Sequence, residues 1–248
     1  MPTRIASELA AHRLRALSEL PLVGRDREMI KLLNLAATKS PALIYGPSGL
    51  GKTRLLLEVA RKLSAEGASV AYIRFQQPLH AFLLTLAGQL GLDCAGTSSI
   101  ALRGALWQAF ELRPRVILLD DIAEATPPFY RFLERVVATR GNTIIGAANP
   151  AYATGALRRM FWNQQSTVAL QNLGRRDASA LIESSILAFL SGVSVSADFA
   201  PRVARAARGN PGRIVEMCIR AADPAYRAES DHIRFGALVM DSLTGLIQ

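Results

Sequence analysis

The spacing of apolar residues changes character along the chain, and the changes divide it into elements. Ile5, Leu9, Leu14, Leu17 and Leu20 fall near the three-and-four spacing of one helix face, which predicts a helix over 3–20, ended by Pro21. A second helix is expected over 27–38. Pro41 then opens the short apolar run ALIY, a strand that runs straight into a glycine-rich loop. Residues 52 to about 65 return to helical spacing. SVAYIRF (69–75) is β-branched and aromatic and reads as a strand, and 79–91 and 100–110 read as helices. RVILLD (115–120), bounded by Pro114 and two acids, is continuously apolar, the pattern of a parallel strand buried on both faces. Thr126-Pro127 reads as an N-cap with proline in the first helical position, opening a helix to about 139. TIIGAA (143–148) predicts a fourth buried strand, followed by a short helix near 154–162 and a strand near 167–171. From Arg175 onward the strand pattern stops, and helices are expected at 175–190, 198–208, 212–222 and 231–247. Strands alternating with helices, then helices alone, predict an α/β domain with a parallel sheet flanked by helices, followed by a small all-helical domain. The expected segments are an N-terminal helix over 1–20, the α/β domain over 21–174 and the helical domain over 175–248.

The glycine-rich loop carries the first chemistry. Gly46-Pro47-Ser48-Gly49-Leu50-Gly51-Lys52-Thr53 fits the phosphate-loop pattern GxxxxGK[ST], with a strand before it and a helix after it. Glycines let the backbone wrap phosphates with amide N–H groups turned inward, and the helix start adds its partial positive charge. Lys52 is expected to reach the β- and γ-phosphates of ATP, the Thr53 hydroxyl to ligate Mg²⁺, and Arg54 to lie beside them. A phosphate loop needs a second magnesium anchor on a neighbouring strand. Asp120, at the end of VILLD, supplies it, because a buried carboxylate there is costly without a cation. Asp121 is the candidate base that polarises the attacking water, with Glu124 as its rival, and two aspartates capping the next helix are the plainer alternative. Asn149, just past TIIGAA, can hydrogen-bond both water and γ-phosphate, although Asn-Pro is also a common turn. Arg158 and Arg159 can serve as an arginine finger on a neighbouring subunit's nucleotide or form an ordinary surface pair. Arg213, at the start of a late helix, can fold over the phosphates.

Together LVGRDREM (22–29), GPSGLGKT (46–53), VILLDD (116–121), TIIGAANP (143–150) and GNPGRI (209–214) resemble the AAA+ P-loop ATPases, in the branch that joins origin-recognition and Cdc6-like proteins with STAND signalling ATPases. The resemblance spans roughly 22–222. It implies adenine contacts from Leu22, Val23 and Arg25, and a lid contact from Pro211 beside Arg213. It makes the helical domain a lid. The magnesium strand ends in Asp-Asp where the family's usual ending is Asp-Glu, which resembles STAND proteins that hydrolyse slowly. Asn149 resembles the family's sensor residue. A single module of this kind is also similar to bacterial AAA+ transposition regulators and helicase loaders. That similarity implies a homo-oligomer that acts on or beside DNA and serves a protein client such as a transposase or helicase. The alternative is a nucleotide switch acting on a protein partner, with slow hydrolysis and no DNA.

Composition adjusts this picture in two places. The formal net charge is +9 and the sequence pI about 10.2, the footprint of a polyanion binder. Arginine supplies nearly all of it, with lysine only at 31, 39, 52 and 62, and the segments 1–40, 41–112, 113–174 and 175–248 are each net positive. The charge is therefore diffuse, which suits contacts to a DNA backbone and also suits plain solvation. Arg202, Arg205 and Arg208 are spaced along one predicted helix and can contribute to such contacts, although a solvated helix face is the plainer account. The two cysteines, Cys94 and Cys218, and the three scattered histidines have no metal-site spacing. No apolar run reaches the ~18–20 residues of a membrane span, and the start of the chain has no signal-like apolar stretch, so a cytoplasmic location is expected.

Overall fold

The buried runs of the sequence become neighbouring strands of one sheet. The computed structural model describes residues 20–94, 96–123, 126–150, 160–161, 164–191, 195–226, 233 and 235–244. In chain order the elements are α1 (Asp26–Ala37), β1 (Ala42–Tyr45), α2 (Lys52–Ala65), β2 (Val70–Arg74), α3 (Leu79–Gln89), α4 (Ser99–Leu112), β3 (Val116–Ile122), α5 (Pro127–Ala138), β4 (Thr143–Ala148), β5 (Thr167–Ala169), α6 (Arg175–Phe189), α7 (Phe199–Ala207), α8 (Pro211–Ala222) and α9 (Phe235–Thr244). The strands pair in the order β2-β3-β4-β1-β5, and every pairing is parallel. β4 is buried at all six positions, and β3 at every position except Asp121. That burial is why both read as continuous apolar runs rather than alternating ones.

The expected helix over 3–20 lies outside the described residues apart from Leu20, and the one near 154–162 apart from residues 160 and 161. The last helix is described over Phe235–Thr244, within the predicted 231–247. β3 is a correction. The sequence pattern ends the strand at Asp120, yet it continues to Ile122 through a register shift between Leu119 and Ile122. Asp121 takes φ of +55°, the left-handed region, and turns out to solvent, while Ile122 returns to the core. Ile122 then lies over Gly146 of β4, where any Cβ would collide with its Cδ1. The bulge thus moves one carboxylate out of the sheet and keeps the next apolar side chain in.

Two compact units result. Residues 25–47 and 55–170 form the sheet unit. One of its packed faces is aromatic: the rings of Phe82 and Phe129 stand 4.7 Å apart, those of Trp107 and Phe132 5.0 Å apart, and the Arg135 guanidinium sits 4.5 Å over Trp107. The described residues 20–24, 48–54 and 171 onward form the helical unit. Ile182, Phe199, Val203, Ile214, Met217 and Cys218 make its core, joined by Leu20 and Leu238. Ser48–Arg54, most of the glycine-rich loop with the first three residues of α2, therefore groups with the helices.

Candidate functional site

The glycine-rich loop leaves the carboxyl end of β1 at Tyr45 and feeds α2 at Lys52. Gly49 and Gly51 have φ of +81° and +86°, conformations that side chains strain. Such turns aim successive amide N–H groups at one point and make an anion-binding nest. The first turn of α2 holds no acid that would oppose an anion there. A Cβ on Gly51 would stand in open space. Leu50 is buried, Lys52 half-buried and Thr53 exposed. A phosphate fits this arrangement.

Other candidates for nucleotide contact share the helical unit with the loop. The Arg54 guanidinium donates to the Leu20 carbonyl at 2.8 Å, which spends the side chain on holding the segment ahead of Gly24. Val23 packs on the helical core, and Leu22 beside it is half-exposed. Gly24 has φ of +65° and lies so close to Asp177 that a Cβ there would fall 2.6 Å from the carboxylate. Pro211 is the first residue of α8, and the Arg213 backbone N–H is capped by Asn210 Oδ1 at 3.1 Å. Arg213 Nε is buried with no hydrogen-bond partner among the described residues, an orphan donor that an anionic ligand would satisfy. Arg25, Gly46 and Pro47 belong to the sheet unit, where Arg25 is buried at the start of α1 and pairs with Glu28 at 3.5 Å.

The carboxylate side of the chemistry sits at the same end of the strands in the sheet unit. Asp120 is 4% exposed. Its Oδ2 accepts a hydrogen bond from the Tyr72 hydroxyl of β2 at 2.8 Å, and its Oδ1 accepts from the Asp121 N–H at 2.9 Å. A buried carboxylate that accepts a hydrogen bond at each oxygen is a fitting hard ligand for Mg²⁺. Burial, then the bond to Asp120, pushes the Tyr72 phenol well above its ordinary range, so it remains a donor. The Asp121 side chain is bonded elsewhere: Arg74 of β2 donates to Oδ2 through Nη2 at 2.8 Å and Nε at 3.3 Å. That hydrogen bond holds the Arg74 guanidinium above its usual value, and both side chains are largely exposed. β2 lies on the side of β3 away from β4 and β1, so the candidate base is tethered away from the strand that feeds the phosphate loop. Asn149 is half-buried and directly follows Ala148, which is in register with Tyr45 of β1. Glu124, Arg158 and Arg159 lie outside the described residues.

Sequence reasoning missed Tyr72, Arg74, Asn210 and Gly212. Tyr72 carried one signal, a hydroxyl inside an otherwise apolar strand. The cationic spacing over α7 resolves unevenly. Arg202 is occupied, bonded to Asp198 at 3.3 Å and stacked 4.3 Å over the Phe235 ring. Arg205 and Arg208 instead line a cleft of about 640 Å³ together with Arg175 from α6. None of these three side chains makes a hydrogen bond or ion pair among the described residues.

Solved structures of low sequence identity share this fold. A mutant of RuvB from Thermotoga maritima matches with a TM-score of 0.56 at 18% identity, over 90% of this chain and 70% of that one. Domain III of the Thermotoga maritima replication initiation protein DnaA matches with a TM-score of 0.58 at 17% identity, over 82% of this chain and 85% of that one. No curated protein matches the sequence. No helix among the described residues is long and apolar enough to cross a membrane. Residues 21–182, from the segment before α1 through the phosphate loop and all five strands into α6, match the AAA ATPase domain, and the chain belongs to that family.

Proposed function

We propose that this protein binds and hydrolyses ATP with Mg²⁺, assembles with copies of itself when ATP is bound, and acts on or beside DNA in the manner of a transposition- or replication-type regulator. The observation that carries the reading is a glycine-kinked loop fed by β1, in a chain whose β3, one strand removed from β1 across β4, holds the buried Asp120 with a hydrogen bond accepted at each oxygen. In this reading the loop amides of 46–53 and Lys52 bind the phosphates, Thr53 and Asp120 hold Mg²⁺, and Arg213 closes on the phosphates from α8. Asp121 or Glu124 orients the attacking water with Asn149, and Arg158 or Arg159 completes a neighbour's site. A Mg²⁺ ion held by these residues would neutralise negative charge on the phosphates. The LVGR and GNPGRI segments support the origin-recognition/Cdc6–STAND branch, and the cytoplasm is the fitting location. The DNA reading is supported by the net charge of +9 and by likeness to a domain of a replication initiation protein. ATP turnover measured against protein concentration, with and without duplex DNA, tests it. Cooperative turnover raised by DNA is expected, and flat, slow turnover in both variables overturns it.

A second reading, a slow nucleotide switch directed at a protein partner, is favoured by the Arg74–Asp121 tether. Arg74→Ala should raise basal turnover severalfold if the tether holds back the base, at under ~1 kcal/mol of stability because the pair is exposed. Unchanged turnover, with Asp121→Asn equally silent, removes Asp121 from the chemistry.

A further inference from the structure

The start of α8 shows how a helix end satisfies its free amide groups. The first N–H groups of a helix have no partner inside it. Pro211 has no N–H. The Arg213 N–H bonds Asn210 Oδ1 at 3.1 Å, and the Ile214 N–H bonds the Asn210 carbonyl at 3.1 Å. The remaining donor, the Gly212 N–H, bonds the Gly49 carbonyl of the phosphate loop at 2.8 Å. Beside it, Asn210 Nδ2 donates to the Ser48 carbonyl at 3.2 Å. Asn210 thus caps α8 with its oxygen and holds the loop with its nitrogen.

The fit is tight enough to explain two glycines. A Cβ on Gly212 would lie 2.8 Å from Gly49 Cα, and one on Gly49 would lie 2.5 Å from Asn210 Oδ1. Neither position accepts a side chain without parting the two backbones. The two carbonyls also have a definite meaning. The Ser48 carbonyl belongs to the peptide group whose N–H is that of Gly49, and the Gly49 carbonyl to the group whose N–H is that of Leu50. A hydrogen bond accepted at one side of a peptide group polarises the N–H at the other and fixes the direction in which it points.

We propose that Asn210 and Gly212 are positioning residues for the phosphate loop: they clasp it from behind by its carbonyls, orient the Gly49 and Leu50 amides toward the bound phosphate, and make the loop and α8 respond to nucleotide as one piece. This rests on the reading of the loop as an ATP site, and goes beyond it by assigning roles to two residues outside the loop. The clasp also makes the N-terminal end of α8, which carries Arg213, sense the loop through the backbone.

The test separates capping from clasping. Asn210→Ser keeps an N-cap oxygen for Arg213 but has no second group for the Ser48 carbonyl. Asn210→Ala loses both, and Gly212→Ala forces the backbones apart. Hydrogen–deuterium exchange of the full chain without nucleotide is expected to speed up about fivefold over 48–52 and at Gly212 in Asn210→Ser, the loosening that loss of one hydrogen bond gives, with 214–222 unchanged. Release of a fluorescent N-methylanthraniloyl-ATP in Mg²⁺ is expected to quicken by about the same factor, and more in Gly212→Ala, with thermal melts reporting that each variant is folded. Wild-type exchange over 48–52 in folded Asn210→Ser and Gly212→Ala overturns the clasp. Faster exchange with unaltered nucleotide release overturns the positioning role. If wild-type protein fails to bind the nucleotide, the ATP reading fails, and the exchange data still decide the clasp.

Discussion

Tyr72 is the side chain whose removal most directly tests the carboxylate end of the site. Tyr72→Phe deletes one oxygen and leaves the ring in β2. That oxygen donates at 2.8 Å to Oδ2 of a carboxylate that is only 4% exposed, and water cannot readily take its place. A hydrogen bond to a charged group is worth about 1.5–3 kcal/mol, and the half-buried phenol argues for the lower end. For a chain of this length a loss of about 1.5 kcal/mol lowers the melting temperature by roughly 3–6 °C. The second effect is orientational. Without the phenol, Oδ2 loses the bond that orients it, while the Asp121 N–H still bonds Oδ1 at 2.9 Å. Loss of a partner that orients a metal ligand typically costs about 10- to 100-fold in metal affinity. The assay is a Mg²⁺ titration of fluorescent-ADP binding, with a parallel titration in EDTA to read the metal-free nucleotide affinity. Tyr72→Phe should shift the Mg²⁺ midpoint about tenfold or more upward and leave the EDTA affinity unchanged. An unmoved midpoint together with an unmoved melting temperature would refute the reasoning, because the bond would then neither stabilise Asp120 nor aim it.

Two further predictions concern the helical unit. Burial pushes the Cys218 thiol from its ordinary 9.0 up to about 12, so above pH 9 the unfolded chain releases a proton that the folded one keeps, and stability falls with rising pH. Between pH 8 and pH 10 the stability of wild type relative to Cys218→Ala should drop by about 1.4 kcal/mol in urea denaturation, and parallel pH curves would rule the effect out. If the Arg175–Arg205–Arg208 cleft meets DNA phosphates, the double variant Arg205→Ala/Arg208→Ala should flatten the dependence of log affinity on log salt by about 2. Arg202→Ala should leave that slope alone, since its guanidinium is already bonded to Asp198 and stacked on Phe235. Equal slopes in all three proteins would remove α7 from any DNA contact.

The parts of the fold that local pattern controls were legible in the sequence. VILLD and TIIGAA read as buried parallel strands because both faces of those strands are covered. The glycine-rich loop was legible because its backbone demands positive φ at fixed spacing. What stayed hidden depends on distant partners. The bulge at Asp121 exists because Ile122 can settle over Gly146, a contact no spacing rule reveals. The second partner of Asn210 is a carbonyl 162 residues away in sequence. Arg202, Arg205 and Arg208 looked equivalent by spacing, and only the position of Phe235 separates the first from the others. The strand expected over 167–171 is cut to Thr167–Ala169, consistent with an edge strand that pairs with β1 alone.

Asp121 joins the two functional readings physically. Its left-handed backbone directs its N–H to Asp120 Oδ1, and the same bulge carries its side chain out to Arg74. The geometry that aims the proposed magnesium ligand therefore also directs the candidate base toward β2. The Arg74 bond is itself a weak restraint, since an ion pair with both members mostly in solvent is worth less than about 1 kcal/mol. Any anion that reaches Arg74 competes for it, and a DNA phosphate and an acidic side chain of a protein partner are equivalent in that respect. If Asp121 is the base, hydrolysis is slow in the isolated chain and rises on contact with an anionic partner in both readings. A slow basal rate therefore does not argue for the switch over the DNA-associated ATPase; the identity of the anion that raises it does.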